Sequence, residues 1–122
     1  MRPIAAALCT LLVLSGVARA HGPDQGPNGG RQVDAGAYHI EMVVEGSTLT
    51  IHIRDRDDSP VQTNGFRGTA VLTVEGRAQR IALSPSGENR LTGTAPGTLP
   101  PQPRGVVQVS GPAGASMQGR FD

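Results

Sequence analysis

Residues 38–55 constrain the fold most strongly, because apolar and polar side chains alternate with a period of two on both sides of one turn signal. This alternation is typical of half-buried β-strands and does not fit the helical period of about 3.6 residues. Gly46 and Ser47 separate the two runs and suit a two-residue type II′ turn, which favours glycine at its first central position. The stretch therefore predicts a β-hairpin with one apolar and one polar face.

The two-residue turn also predicts the register of this hairpin. Counting away from the turn places apolar residues opposite one another on one face. On the other face it places Glu41 opposite His52, and His39 opposite Arg54. A four-residue turn would change these partners but keep every side chain on its face, because the parity is the same. His39, Glu41 and His52 are therefore expected on one polar face.

The rest of the chain continues in short alternating runs that are separated by turn residues. Residues 32–37 lead into the hairpin, and further strands are predicted at residues 68–75, 79–84, 89–94, 105–110 and 116–121. Residues 95–104 contain four prolines, which exclude a helix or a central strand there. This spacing predicts an all-β fold, namely an antiparallel β-sandwich of about seven strands with immunoglobulin-like architecture.

Residues 1–20 have the pattern of a signal peptide. Arg2 precedes an apolar run over residues 4–17, which is too short to span a bilayer of about 30 Å as a helix. Ala18 and Ala20 supply the small residues that signal peptidase reads. We expect cleavage between Ala20 and His21, which makes the product periplasmic or secreted, and no second apolar run predicts membrane insertion.

Cleavage would change both the charge and the cysteine content. The 122-residue chain has 11 arginines, no lysine and 10 acidic residues; loss of Arg2 and Arg19 leaves 9 arginines against 10 acids, a net charge of −1. No basic cluster is visible in the sequence, so no nucleic-acid partner is expected. Cys9 lies inside the signal peptide, and the processed chain therefore has neither a disulfide nor a thiolate ligand.

The processed chain is expected to have two parts. Residues 21–31 are rich in glycine and proline and offer little apolar burial to offset the entropy of ordering, so they predict a flexible arm. Residues 32–122 form the β-sandwich domain. We expect no enzymatic activity, because the processed chain has no cysteine nucleophile and no serine in a G-x-S-x-G motif.

The histidines point instead to a metal site. Imidazole and carboxylate groups are good ligands for copper and zinc, and opposed strand residues have Cβ atoms about 5 Å apart. As an N-terminal residue, His21 would offer its α-amino group and ring Nδ1 to one ion, as in a histidine brace. We predict a copper or zinc site of His21, His39 and His52, with Glu41 as a ligand or as the partner that orients an imidazole.

An alternative accounts for the same residues without a metal. Glu41 and His52 could form an ordinary cross-strand pair, with His39 solvated on the surface. The protein would then be a protein-interaction module of the cell envelope that docks by its sheet edges.

Short motifs along the chain add a resemblance. They are HGP at residues 21–23, GPNGG at 26–30, YHIE at 38–41, DRDDSPV at 55–61, NRLTG at 89–93 and QGRF at 118–121. With these motifs the chain resembles small exported bacterial proteins associated with heavy-metal efflux systems of the RND type. It is also similar to the opening segment of their periplasmic adaptor subunits. The resemblance implies a periplasmic β-sandwich accessory to copper, zinc or related-metal resistance, with a metal-efflux envelope complex as partner.

Overall fold

A computed structural model describes residues 25–122; the predicted signal peptide, its cleavage site and His21 lie outside these residues. The described elements are β1 (Arg31–Ala35), β2 (Tyr38–Glu45), β3 (Thr48–Asp55), β4 (Arg67–Val74), β5 (Arg77–Pro85), β6 (Arg90–Thr94), β7 (Arg104–Ser110), a short 3-10 helix (Pro112–Gly114) and β8 (Ser116–Phe121). The strands form one antiparallel sheet of eight strands in the order β1-β2-β3-β6-β5-β4-β7-β8. The predicted all-β antiparallel fold is therefore confirmed.

The β2–β3 hairpin has the register expected from the sequence. Glu45 pairs with Thr48 next to the turn, and Glu41 pairs with His52 farther along the two strands. Gly46 has a φ of 61°, a positive value that a type II′ turn requires at its first central residue. The turn chemistry therefore fixes which polar side chains lie opposite one another.

One aliphatic core lies between the inward faces of the strands. The inward side chains of the later strands are all buried: Ala70, Leu72, Val74, Ile81, Leu83, Leu91, Val107, Val109, Met117 and Phe121. Burial of a valine, leucine or isoleucine side chain contributes about 1.5–3 kcal/mol before entropy is counted. Aliphatic packing therefore carries the stability of a chain that has few aromatic residues.

Strands β5 and β6 join the two halves of the sheet. Their ladder is short, because only Ser84 with Thr92 and Pro85 with Leu91 are paired. Gly93 follows this ladder, and a Cβ atom there would lie 2.3 Å from the carbonyl oxygen of Ala82. Only glycine allows the backbones of β5 and β6 to approach so closely.

The outer strands β1 and β8 lie beside each other and nearly close the sheet. The Arg31 guanidinium donates a hydrogen bond of 2.7 Å to the main-chain oxygen of Asp122 and stands 5.9 Å from the centroid of the Phe121 ring. A Cβ atom at Gly119 in β8 would lie 2.9 Å from the Val33 side chain in β1. Side-chain contacts therefore hold this seam together.

Two details differ from the sequence prediction. The structure has eight strands, because Gly36, with a φ of 63°, turns the chain and allows Ala35 to pair with Tyr38. The immunoglobulin-like division into two separate sheets is not confirmed, since the β5–β6 ladder makes the sheet continuous. Within residues 25–122, no helix has the length and apolar character needed to cross a membrane.

Replacing Gly93 with alanine should destabilise the protein. The new Cβ would lie 2.3 Å from the Ala82 oxygen and 2.7 Å from Ile81 Cγ2, so β5 would have to shift. We expect the free energy of unfolding to fall by about 2–3 kcal/mol, measured by urea denaturation. Gly97→Ala is the matched control, because nothing lies within 4 Å of a Cβ there. Equal losses in the two variants would contradict this role of Gly93.

Candidate functional site

The outward side chains of β1, β2, β3 and β6 form a polar surface, here called the outer polar face. Strand register arranges them in two rows across the sheet. The first row is Gln32, Glu41, His52 and Arg90, and the second is Asp34, His39 and Arg54. The hairpin residues of the predicted site therefore share one face, with Glu41 directly opposite His52.

Glu41 is fully buried, at 0% exposure, although it lies on this outer face. The main-chain N–H groups of Asn28 and Gly30 each donate to Oε2 at 2.9 Å, and the Asn28 side-chain amide donates to Oε1 at 3.0 Å. A Cβ atom at Gly26 would lie 2.1 Å from Glu41 Cδ. The carboxylate therefore sits beneath a glycine-rich turn formed by residues 26–30.

This contact differs from the expectation of a loosely held arm. Residues 25–30, the described part of the arm, are held by hydrogen bonds to a carboxylate rather than by apolar burial. The turn is also closed on itself, since the Gly26 N–H donates to the Gly30 oxygen at 2.9 Å. Hydrogen bonds to an ionised acceptor are roughly twice as strong as neutral ones, which explains how so polar a segment is ordered.

Arg54 balances the charge of Glu41. Its Nη1 lies 3.5 Å from Glu41 Oε1, and Nη2 donates to the side-chain oxygen of Gln32. Arg54 is itself buried, at 7% exposure. Two opposite charges removed from water are tolerated when they face each other and their remaining hydrogen-bonding groups are satisfied, as they largely are here.

His39 lies between two carboxylates. Its Nδ1 is 2.8 Å from Asp34 Oδ1, which is within ion-pair distance although the alignment is not that of a hydrogen bond. Its Nε2 is 3.9 Å from Asp58 Oδ1 in the connection after β3. The negative charge of the two aspartates favours a cation at this end of the outer polar face.

His52 has a different environment. Partial burial lowers its pKa from the ordinary value of 6.5, and the Glu41 carboxylate opposes that shift. The guanidinium groups of Arg54 and Arg90 act in the same direction as burial. The lowered pKa favours the neutral imidazole of His52, the form in which its nitrogen can bind a metal ion.

These contacts separate the three predicted ligands that the structure describes. Both Glu41 oxygens already accept hydrogen bonds, and His39 and His52 lie in different rows of the outer polar face. Among residues 25–122, no three His, Cys, Asp or Glu side chains converge in a metal-binding group. His21 lies outside the described residues, so the complete ligand set stays a prediction.

Several important residues of this face were missed by the sequence reasoning. Asp34 lies beside His39 only because the two residues are paired in the β1–β2 register. That register depends on the turn before β2, which was not predicted from the sequence. Asn28 had no periodic signal, because its contact with Glu41 joins a turn to a strand 13 positions away. Comparison of the chain with family models, curated proteins and solved structures found no match.

Replacing Glu41 with alanine should release the arm and destabilise the fold. Arg54 would lose its buried counter-charge, and the N–H groups of Asn28 and Gly30 would lose their acceptor. We expect a loss of about 2–4 kcal/mol in the free energy of unfolding, measured by urea denaturation. Hydrogen exchange at the Gly30 amide should also become faster.

Glu45→Ala is the control for this variant, because Glu45 is an exposed carboxylate on the same strand. It should change the free energy of unfolding by less than about 0.5 kcal/mol. An unchanged exchange rate at Gly30 in the Glu41→Ala protein would show that the carboxylate does not hold the arm.

Acidification should destabilise the protein through His52. Its folded-state pKa lies below the unfolded value, so the unfolded chain binds more protons over this interval. The contribution of neutral His52 to the free energy of unfolding is fully present above about pH 6.5. It is lost as the pH falls towards the folded-state pKa. Urea denaturation between about pH 7.5 and 5.5 should show a smaller pH dependence in His52→Gln than in the wild type. A wild-type slope in His52→Gln would contradict the assignment.

Proposed function

We propose that this protein is a periplasmic metal-binding protein that buffers copper or zinc, or hands it over, as an accessory of metal efflux or resistance. The observation that supports this most is the position of the arm. Glu41 holds Asn28 and Gly30 against the face that carries His39 and His52. The chain a few residues after His21 is thereby attached next to both hairpin histidines.

The proposed ligands are His21 with one or both hairpin histidines. His21 lies four positions before Gln25, and four residues of chain span at most about 14 Å. Gln25 pairs with Arg31 at the beginning of β1, and β1 runs along the outer polar face to Asp34 beside His39. A span of about 14 Å also equals the length of about four residues of β1. His21 can therefore come close to the row that contains Asp34 and His39.

The two histidines would contribute in different ways. His39 lies near the carboxylates of Asp34 and Asp58, which attract a cation. His52 offers a neutral imidazole, but two nearby guanidinium groups repel a cation and limit the affinity. Glu41, whose oxygens are occupied, acts in this proposal by positioning the arm rather than by donating to the ion.

Calorimetric titration of the exported protein with Cu(II) and with Zn(II) tests the proposal. Mass spectrometry should first establish that the N-terminal residue is His21. We expect a dissociation constant below about 10 μM, which corresponds to about −7 kcal/mol. At least one of the variants His39→Ala and His52→Ala should weaken binding about tenfold or more, which corresponds to about 1.4 kcal/mol. Acetylation of the α-amine should weaken Cu(II) binding.

Asp57→Ala is the matched control, because Asp57 is an exposed carboxylate of the same region but outside the proposed ligand set. Its affinity for both ions should equal that of the wild type. The proposal fails if neither ion binds more tightly than about 10 μM. It also fails if binding survives in the double variant of His39 and His52.

A further inference from the structure

The two halves of the sheet differ in charge. Strands β4, β5, β7 and β8 contain five arginines and not one aspartate or glutamate. Strands β1, β2, β3 and β6 contain three arginines and four acidic residues. The chain is nearly neutral as a whole, but arginines predominate in β4, β5, β7 and β8. The acidic residues that directly adjoin these strands are Glu75, in the β4–β5 turn, and Asp122, after β8.

Strand register concentrates the arginines on one face. Arg80, Val71, Val106 and Arg120 follow one another across β5, β4, β7 and β8. Both arginines are exposed, and the two valines between them are half-buried. Since neighbouring strands are about 4.8 Å apart, the two arginine Cα atoms are separated by roughly 14 Å.

Two more arginines extend this arrangement. Alternation along β4 and β7 places Arg67 and Arg104 on the same outward side as the valine pair, and both are exposed. The four residues Arg67, Arg80, Arg104 and Arg120, with Val71 and Val106 between them, are here called the arginine face. Among residues 25–122, no carboxylate forms an ion pair with any of these four arginines. Within the described part of the chain, the four guanidinium groups are therefore not held in ion pairs.

The arginine face also contains a concave region beside Arg104 and Arg120. Arg104 and Arg120 line a hollow of about 260 Å³ together with Gly105, Val106, Phe121 and Asp122. The Asp122 carboxylate lies beyond ion-pair distance of both guanidinium groups. A guanidinium group presents a planar fork of donors that matches a carboxylate with two parallel hydrogen bonds. The hollow therefore offers a place where an acidic side chain could meet two guanidinium groups.

The chemistry of the arginine face favours a protein as its partner. An apolar centre with a charged rim is the usual anatomy of a protein–protein interface, in which arginine is enriched. Among the outward positions of β4, β5, β7 and β8 there is no aromatic side chain on which a nucleic-acid base could stack. We propose that the arginine face is a docking surface for an acidic protein segment, whose carboxylates pair with the arginines around Val71 and Val106.

This inference does not rest on metal binding, because it uses the opposite half of the sheet. It also places the interaction on a sheet face instead of on the sheet edges, which lie beside each other at the β1–β8 seam. Complementary charge would increase the rate of association with the partner, and the valine pair would add apolar contact. Binding should accordingly weaken as salt is added.

Fluorescence anisotropy with a labelled poly-L-glutamate peptide tests the proposal on the whole processed chain, from which only the signal peptide has been removed. We expect saturable binding at about 50 mM salt and a loss of affinity of at least fivefold at about 300 mM salt. The double variant Arg80→Ala with Arg120→Ala should bind at least about tenfold more weakly, because it removes both charges of the central row. Urea denaturation of this variant should match the wild type, since both residues are exposed.

Arg56→Ala is the matched control, because Arg56 is an exposed arginine outside the arginine face. It should bind the peptide within about twofold of the wild type. Absence of binding at about 50 mM salt, or an equal loss in Arg56→Ala, would overturn the proposal. Binding to vesicles that contain phosphatidylglycerol, without binding to poly-L-glutamate, would overturn it in favour of a membrane partner.

Discussion

The buried carboxylate of Glu41 is the interaction on which the outer polar face depends. Removing an ionised group from water costs several kcal/mol, and this cost is offset only while all of its partners are in place. Arg54 supplies the opposite charge, and the turn at residues 26–30 supplies the N–H donors. Because neither partner is close to Glu41 in sequence, the carboxylate couples the arm and the hairpin into one cooperative unit.

The hairpin could be predicted from sequence because its information is local. A period of two and a two-residue turn determine both faces and every pairing, including Glu41 with His52. The burial of Glu41 could not be predicted, because alternation marks an outward residue as solvated whatever lies above it. The glycines of the arm suggested flexibility, whereas Gly26 and Gly30 allow close approach to Glu41 and to the Met42 carbonyl group.

The division of charge could not be predicted for a different reason. Arg67, Arg80, Arg104 and Arg120 are spread over more than fifty positions, so no window of the sequence is strongly basic. They share one face because β4 lies between β5 and β7, and because β8 follows β7 in the sheet. Strand order is set by contacts between distant segments, and neither composition nor periodicity contains that information. The shared face of His39 and His52 can be predicted from one turn, whereas the arginine face can be predicted only from the order of all the strands in the sheet.

The seam between β1 and β8 has a consequence for the behaviour of the protein in a crowded compartment. An exposed edge strand presents a row of unpaired N–H and C=O groups to which another chain can add, and such edges are common starting points of aggregation. Here the Arg31 guanidinium, resting on Phe121 and bonded to the Asp122 main chain, keeps the two edges beside each other. The contacts across this seam, including that of Arg31, therefore leave the edges of β1 and β8 less accessible to another chain.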